Sequence, residues 1–186
     1  MLKRALVSLL FVGGLAFAAP LTNRPFVNQD GKPFQLHDLK GNYVFVSFVF
    51  TRCPLPSMCP LTMTLNKQLY SEWKKTKKAP PLKFLVVTLD PAFDTPAVLR
   101  GYAKARGVNN KDFTLATGNA TVLSDFAGEF NVIGMPAGGT ISHNLKSILL
   151  APDLSVLQEY KDNEFSPSQV LKDIRTNANP PTNQAR

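Results

Sequence analysis

The apolar positions of this chain keep two different periods, and the alternation between them outlines a fold. Tyr43 to Phe50 (YVFVSFVF) is a nearly unbroken β-branched and aromatic run, the pattern of a central strand covered on both faces. Leu61 to Trp73 then places Leu61, Leu65, Leu69 and Trp73 at helical spacing. KFLVVTLD (83–90) is a second strand of the buried type. After it, Thr95 and Pro96 supply an N-cap and a first-turn proline for a helix that runs to about Arg106 and ends at Gly107. FTLAT (113–117) reads as a short strand, Asn119 caps the helix TVLSDFAGEF, and VIGMPAGGTIS (132–142) reads as a glycine-rich loop. LKSILLA and SVLQEYK flank Pro152-Asp153 as a hairpin, and Ser166-Pro167 opens a last helix to about Thr176. Upstream, Asp30-Gly31 lies between short apolar patches and predicts an N-terminal hairpin.

Strands and helices in that order predict an α/β protein: a central mixed sheet flanked by helices, with an N-terminal β-hairpin. The 186 residues suit one domain able to bury a core without disulfide staples, so the two cysteines need another reason to be present. Ahead of the domain, MLKRALVSLLFVGGLAFAAP has two basic residues, an uncharged apolar stretch and the small-residue pattern Ala16-Phe17-Ala18. That is the layout of a secretory signal, and the apolar run is short for a membrane span. The expected organisation is a signal peptide over 1–19, a domain over 20–176 and a disordered tail over 177–186, exported and soluble outside the cytoplasm. The alternative is an uncleaved N-terminal membrane anchor.

The formal net charge of +8 changes this picture little. Much of the excess lies in EWKKTKKAPPLK (72–83), the exposed end of a helix. No basic stripe is interleaved with aromatics, which argues against nucleic acid. Such a surface can steer an acidic protein partner.

The chemistry is concentrated in TRCPLPSMCPLTM (51–63), which holds both cysteines at the join of the first central strand and the first long helix. On a continuous helix the Cys53 to Cys59 spacing would rotate the two side chains apart by about 240°. Pro54 and Pro56 exclude that helix, so the segment is expected to curl as a loop until Pro60 starts the helix. Cys59 then falls at or near the N-cap, where free N–H groups stabilise a thiolate. Two converging sulfurs hold a soft metal or exchange a disulfide. No further cysteine exists to complete a closed zinc site, whereas copper accepts fewer ligands and an added imidazole. Only His37 and His143 can supply it: His37 sits beside a surface turn, and His143 follows the glycine-rich loop. Met63 reads as core, Met58 is open, and Asp90, at the sheet edge where α/β folds place their sites, is either functional or a turn cap before Pro91.

FVSFVFTRCPLPSMCPLTM, VVTLDPAFDTPAVLRGYA and SHNLKSILLAPDLSVLQEY together resemble the Sco/SenC family of copper-binding thioredoxin-like proteins, over roughly Phe34 to Tyr160. The resemblance implies a thioredoxin-like fold and copper, Cu(I) or Cu(II), held by Cys53, Cys59 and His143, with Asp90 nearby. It also implies a role as a metallochaperone, not an enzyme in the turnover sense; a monomer is expected. The expected partner is the copper-bearing subunit of cytochrome c oxidase or another exported copper or thiol acceptor. The chain departs from the family's C-x-x-x-C-P pattern, since its cysteines bracket PLPSM, and it has Asn144 where the family has serine or threonine. The alternative reading is a thiol-disulfide oxidoreductase acting on an apo-oxidase subunit or other exported protein, with Cys53 and Cys59 as the catalytic pair. Peroxide reduction and a purely structural disulfide stand behind these.

Overall fold

The computed structural model describes residues 23–137 and 140–178. The expected signal segment therefore lies outside the described residues, as do 179–186 of the expected tail. A small antiparallel pair, β1 (Phe26–Asn28) and β2 (Pro33–Phe34), turns through Asp30-Gly31 with Gly31 at φ +75°, as that dipeptide predicts. A 3-10 helix, Leu36–Leu39, leads to β3 (Tyr43–Val49), α1 (Cys59–Lys75), β4 (Leu82–Thr88), α2 (Pro96–Arg106), β5 (Phe113–Thr117) and α3 (Ala120–Glu129). The remainder is β6 (Gly134–Ala137), β7 (Thr140–His143), β8 (Lys146–Leu150), β9 (Val156–Lys161) and α4 (Pro167–Ala178).

Seven strands form one mixed sheet in the order β2-β1-β5-β4-β3-β8-β9. β4 runs parallel to β3 and β5, while β8 is antiparallel to β3. All of β3 is buried, and its alternate residues feed two cores. Tyr43, Phe45 and Val49 face α1, α2 and α4, whereas Val44, Val46 and Phe48 face α3. The period of two thus explains why the run reads as continuously apolar.

Three expectations need correction. First, residues 132–142 are not merely a loop: β6 and β7 pair as a two-stranded ribbon with Gly134 opposite His143. Glycine and proline content signalled a turn, and the backbone pairing on either side of it carries no strong apolar alternation. Second, the inward face of α1 is set by Cys59, Thr62, Met63, Asn66 and Leu69, and Leu61 is exposed. The helix begins at Cys59, and Asn66 turns inward because the Ser47 hydroxyl, which also meets the Ser147 hydroxyl across β3 and β8, gives it a polar partner inside the core. Third, α4 continues to Ala178, so Asn177 is helical and accepts a hydrogen bond from the Tyr43 hydroxyl at 2.8 Å.

The cap signals hold elsewhere. The Thr95 hydroxyl accepts from the Val98 N–H, Gly107 closes α2 in the left-handed region, and Asn119 accepts from the Thr121 and Val122 N–H groups. Among the described residues no helix is long and apolar enough to cross a membrane.

Candidate metal and thiol centre

The cysteine loop is fastened at both ends by polar side chains, the first buried and the second half-buried. At its start, the fully buried Asp94 carboxylate accepts from the Thr51 N–H (3.1 Å), the Thr51 hydroxyl and the Thr88 hydroxyl. This joins the end of β3 to the end of β4, one residue before the cap of α2. At its far end, Asn163, in the turn after β9, accepts from the Thr62 hydroxyl at 2.9 Å and donates to the carbonyls of Ser57 and Met58. The stretch between therefore keeps a fixed path without regular structure. Asp94 belongs to the D-P-x-x-D-T-P pattern, whose second acid was the available signal. Asn163 left no comparable mark in the sequence.

Asp90 pairs with Arg52, whose Nη2 and Nε donate to one carboxylate oxygen at 2.7 and 3.1 Å. The same guanidinium lies 4.2 Å from the centroid of the Phe93 ring. Asp90 thus orients the residue that precedes Cys53, and it also accepts the role of turn residue, taking backbone bonds from Phe93 and Asp94. Beside this pair opens a cleft of about 1040 Å³ bordered by Arg52, Pro54, Asp90 and Ile141.

Cys59 is the first residue of α1, after Met58 at the N-cap position, and it is 0 % exposed. The position agrees with expectation, but the electrostatic consequence does not. Burial pushes the Cys59 thiol up to about 12, outweighing backbone hydrogen bonds that act the other way, and neighbouring Cys53 raises it further. Metal-free Cys59 is consequently a thiol near neutral pH.

His143 ends β7 and is nearly buried at 8 % exposure. Its Nδ1 lies 2.9 Å from the Asn144 carbonyl, and a carbonyl only accepts, so Nδ1 carries the proton and Nε2 presents a lone pair. That lone pair lies 3.7 Å from Cys59 Sγ. Burial lowers the His143 pKa, with the Asn144 carbonyl opposing, which keeps the ring neutral. Phe50 packs edge-on at 5.8 Å between ring centroids. The Asn144 side chain accepts from the Ile133 N–H and donates to the Asn131 carbonyl, both at 2.9 Å, closing the base of the ribbon. The residue that departs from the family pattern therefore has a structural task of its own.

Cys53 completes the donor set less fully. It is half-buried against Cys59, and its Sγ lies 3.9 Å from the Leu55 carbonyl. Among the described residues no three His, Cys, Asp or Glu side chains already stand as a metal-holding group. A ligand needing both sulfurs and the imidazole has to draw Cys53 inward. The donor types suit a soft or borderline ion, and the neutral, correctly protonated imidazole is ready to bind one. His37 lies exposed in the 3-10 helix, Met63 is core and Met58 is half-buried.

Comparison with known proteins fits this arrangement. A solved SCO1/SenC family lipoprotein from Bacillus anthracis str. Ames superposes with a TM-score of 0.75 at 25% identity, covering 83% of this chain and 92% of that one. BsSco, a member of the Sco family of cytochrome c oxidase assembly proteins in which a disulfide switch was identified, matches with a TM-score of 0.67 at 25% identity, covering 82% and 89%. A Stutzerimonas stutzeri protein, provisionally named as copper-binding, is 30% identical over 135 residues, 70% of this chain and 63% of its own length. The chain thus spans somewhat less than two thirds of that relative. These neighbours give the sheet and its helices as the thioredoxin-like arrangement, and the SCO1/SenC family model matches residues 19–179. The chain belongs to the SCO1/SenC family.

Proposed function

We propose that this protein carries copper on Cys53, Cys59 and His143 and passes it to the copper-bearing subunit of cytochrome c oxidase, or to another exported acceptor. The observation that supports the reading most is the approach of His143 Nε2 to Cys59 Sγ, from positions 84 residues apart, with the tautomer that leaves Nε2 free. The provisional name of the Stutzerimonas relative and the family's association with oxidase assembly point the same way. Binding would displace the Cys59 proton and draw Cys53 towards the metal, so loading is coupled to pH and to a local rearrangement. The apolar leader over residues 1–19 supports export, and N-terminal sequencing of the exported protein tests it: an intact Met1 rejects cleavage.

The test is copper stoichiometry and spectrum on the reduced protein. One-to-one copper with a sulfur-to-copper charge-transfer band, altered or lost in His143→Ala, is the expected result. Copper lost to a moderate chelator overturns it.

A second reading is favoured by one asymmetry: Cys53 is half-buried while Cys59 is enclosed. In thiol-disulfide exchange, Cys53 would attack a client disulfide, and one client sulfur would leave as a thiol. Cys59 would then displace the second client sulfur from the mixed disulfide, its proton going to His143 Nε2. Two electrons pass to the client and the pair becomes a disulfide. Trapping a client on Cys59→Ser through Cys53 is the expected result of that reading, and failure to trap any oxidised exported partner counts against it.

A further inference from the structure

The turn after β9 touches both halves of the proposed donor set. Lys146 at the start of β8 pairs with Lys161 at the end of β9, and the Asp162 N–H donates to the Leu145 carbonyl at 3.1 Å. Leu145 lies two residues beyond His143. The Asn163 side chain reaches the other half, bonding to Ser57 and Met58 immediately before Cys59 and to Thr62 in the first turn of α1. One dipeptide, Asp162-Asn163, thus spans from the histidine segment to the cysteine loop.

The backbone of this turn suits the task. The Glu164 N–H closes it onto the Lys161 carbonyl at 2.9 Å, and between them Asp162 and Asn163 stand at φ +52° and +57°. Asp and Asn tolerate the left-handed region better than most side chains, so the turn forms at little cost. Behind it, Phe165 is buried against Phe45 and Tyr160 and anchors the turn on the core. The side chain is equally constrained. The two carbonyls only accept, so Asn163 Nδ2 faces them at 3.3 and 3.4 Å, and Oδ1 accepts from the Thr62 hydroxyl at 2.9 Å. Glycine would supply the backbone without these bonds, and aspartate would turn a second acceptor towards the carbonyls. Asparagine meets both requirements.

We infer that Asn163 is a positioning residue of the copper site, holding the Cys59 end of the loop in register with the segment that carries His143, so that Cys59 Sγ and His143 Nε2 face each other across 3.7 Å. The inference rests on the copper reading above. Asn163 acts on the donors indirectly: on the sulfur through the Ser57 and Met58 carbonyls, and on the imidazole through its neighbour's bond to Leu145.

Asn163→Gly keeps the left-handed backbone and removes all three side-chain bonds. In the reduced full-length protein, Cu(I) affinity in chelator competition should fall roughly tenfold. The loss should vanish when the same change is made in His143→Ala, because aligning the loop with an absent imidazole gains nothing. In the metal-free protein, the His143 ring signals in the NMR spectrum should shift, while those of His37, exposed in the 3-10 helix, stay in place. Asn163→Asp, which keeps the size of the side chain, should give the same pattern. Unchanged affinity in both variants overturns the inference, as do unmoved His143 signals. An equal loss with and without His143 overturns it too, since that marks a contribution to the cysteine loop alone. Wild type that retains no copper removes the copper reading and this inference with it, whereas copper-loaded wild type matched by the variants removes only Asn163.

Discussion

The cysteine loop and the histidine ribbon meet over one gap but are held by different means. The loop ends in a core helix, with Cys59 enclosed and Asp94 and Asn163 fastening its two ends to the rest of the fold. The ribbon pairs only with itself, outside the seven-stranded sheet, and its base presents Ile133 and Met135 at 63% and 60% exposure. What ties it down near the site is the Asn144 side chain and the packing of His143 on Phe50. A donor set divided in this way gives one sulfur fixed by the core and one imidazole set by a lightly packed element. Segments with little buried apolar surface open at lower free energy than core elements, so exchange of a bound ion should begin on the histidine side.

The largest effect should follow from the fixed side. Cys59→Ala is expected to lower Cu(I) affinity by more than about 100-fold, beyond the loss typical of an outer-shell partner, while leaving the far-ultraviolet circular dichroism unchanged. Retained affinity in competition titration would show that the ribbon, not the loop, dominates the site. Asp94→Asn comes next. An amide there faces three donors with one acceptor oxygen, and the expected loss is about 3 kcal/mol in denaturant unfolding, together with weaker copper binding. Wild-type stability in that variant would mean that the loop is not held from its start.

On the ribbon, Asn144→Ala removes both side-chain bonds but keeps the backbone carbonyl that fixes His143. Copper affinity should fall by about tenfold or less, with a small change in melting temperature. A loss as large as that of Cys59→Ala would erase the proposed difference between the two regions.

The smallest effect is on pH dependence. Burial holds the His143 pKa below its ordinary 6.5, so as pH falls below that value the unfolded chain takes up the proton first. The contribution is fully present above 6.5 and is lost progressively until the folded imidazole protonates. Denaturant unfolding of the metal-free protein should therefore show a decline below about pH 6.5 that is shallower in His143→Gln. Identical slopes in the two proteins would show that the imidazole is less enclosed than the ribbon geometry implies.

Much of the fold was legible because local chemistry and tertiary structure agree. The apolar run of β3, the Thr95-Pro96 and Asn119 caps, Gly107 and the Asp30-Gly31 turn each specify backbone geometry through contacts a few residues away. The prolines around the cysteines likewise excluded a helix before Cys59. The sequence by itself therefore determined the element order, the strand-to-helix junction that holds both sulfurs, and His143 as the better imidazole candidate. Tertiary structure decided the rest: that Asp94 and Asn163 clamp the loop, that Cys59 is enclosed enough to raise its thiol pKa despite the helix terminus, and that a paired ribbon brings the His143 ring to it. The physical reason is range. Caps, turns and periodicity act through neighbours along the chain, whereas burial and hydrogen bonding across 84 residues exist only once the sheet has brought distant segments together.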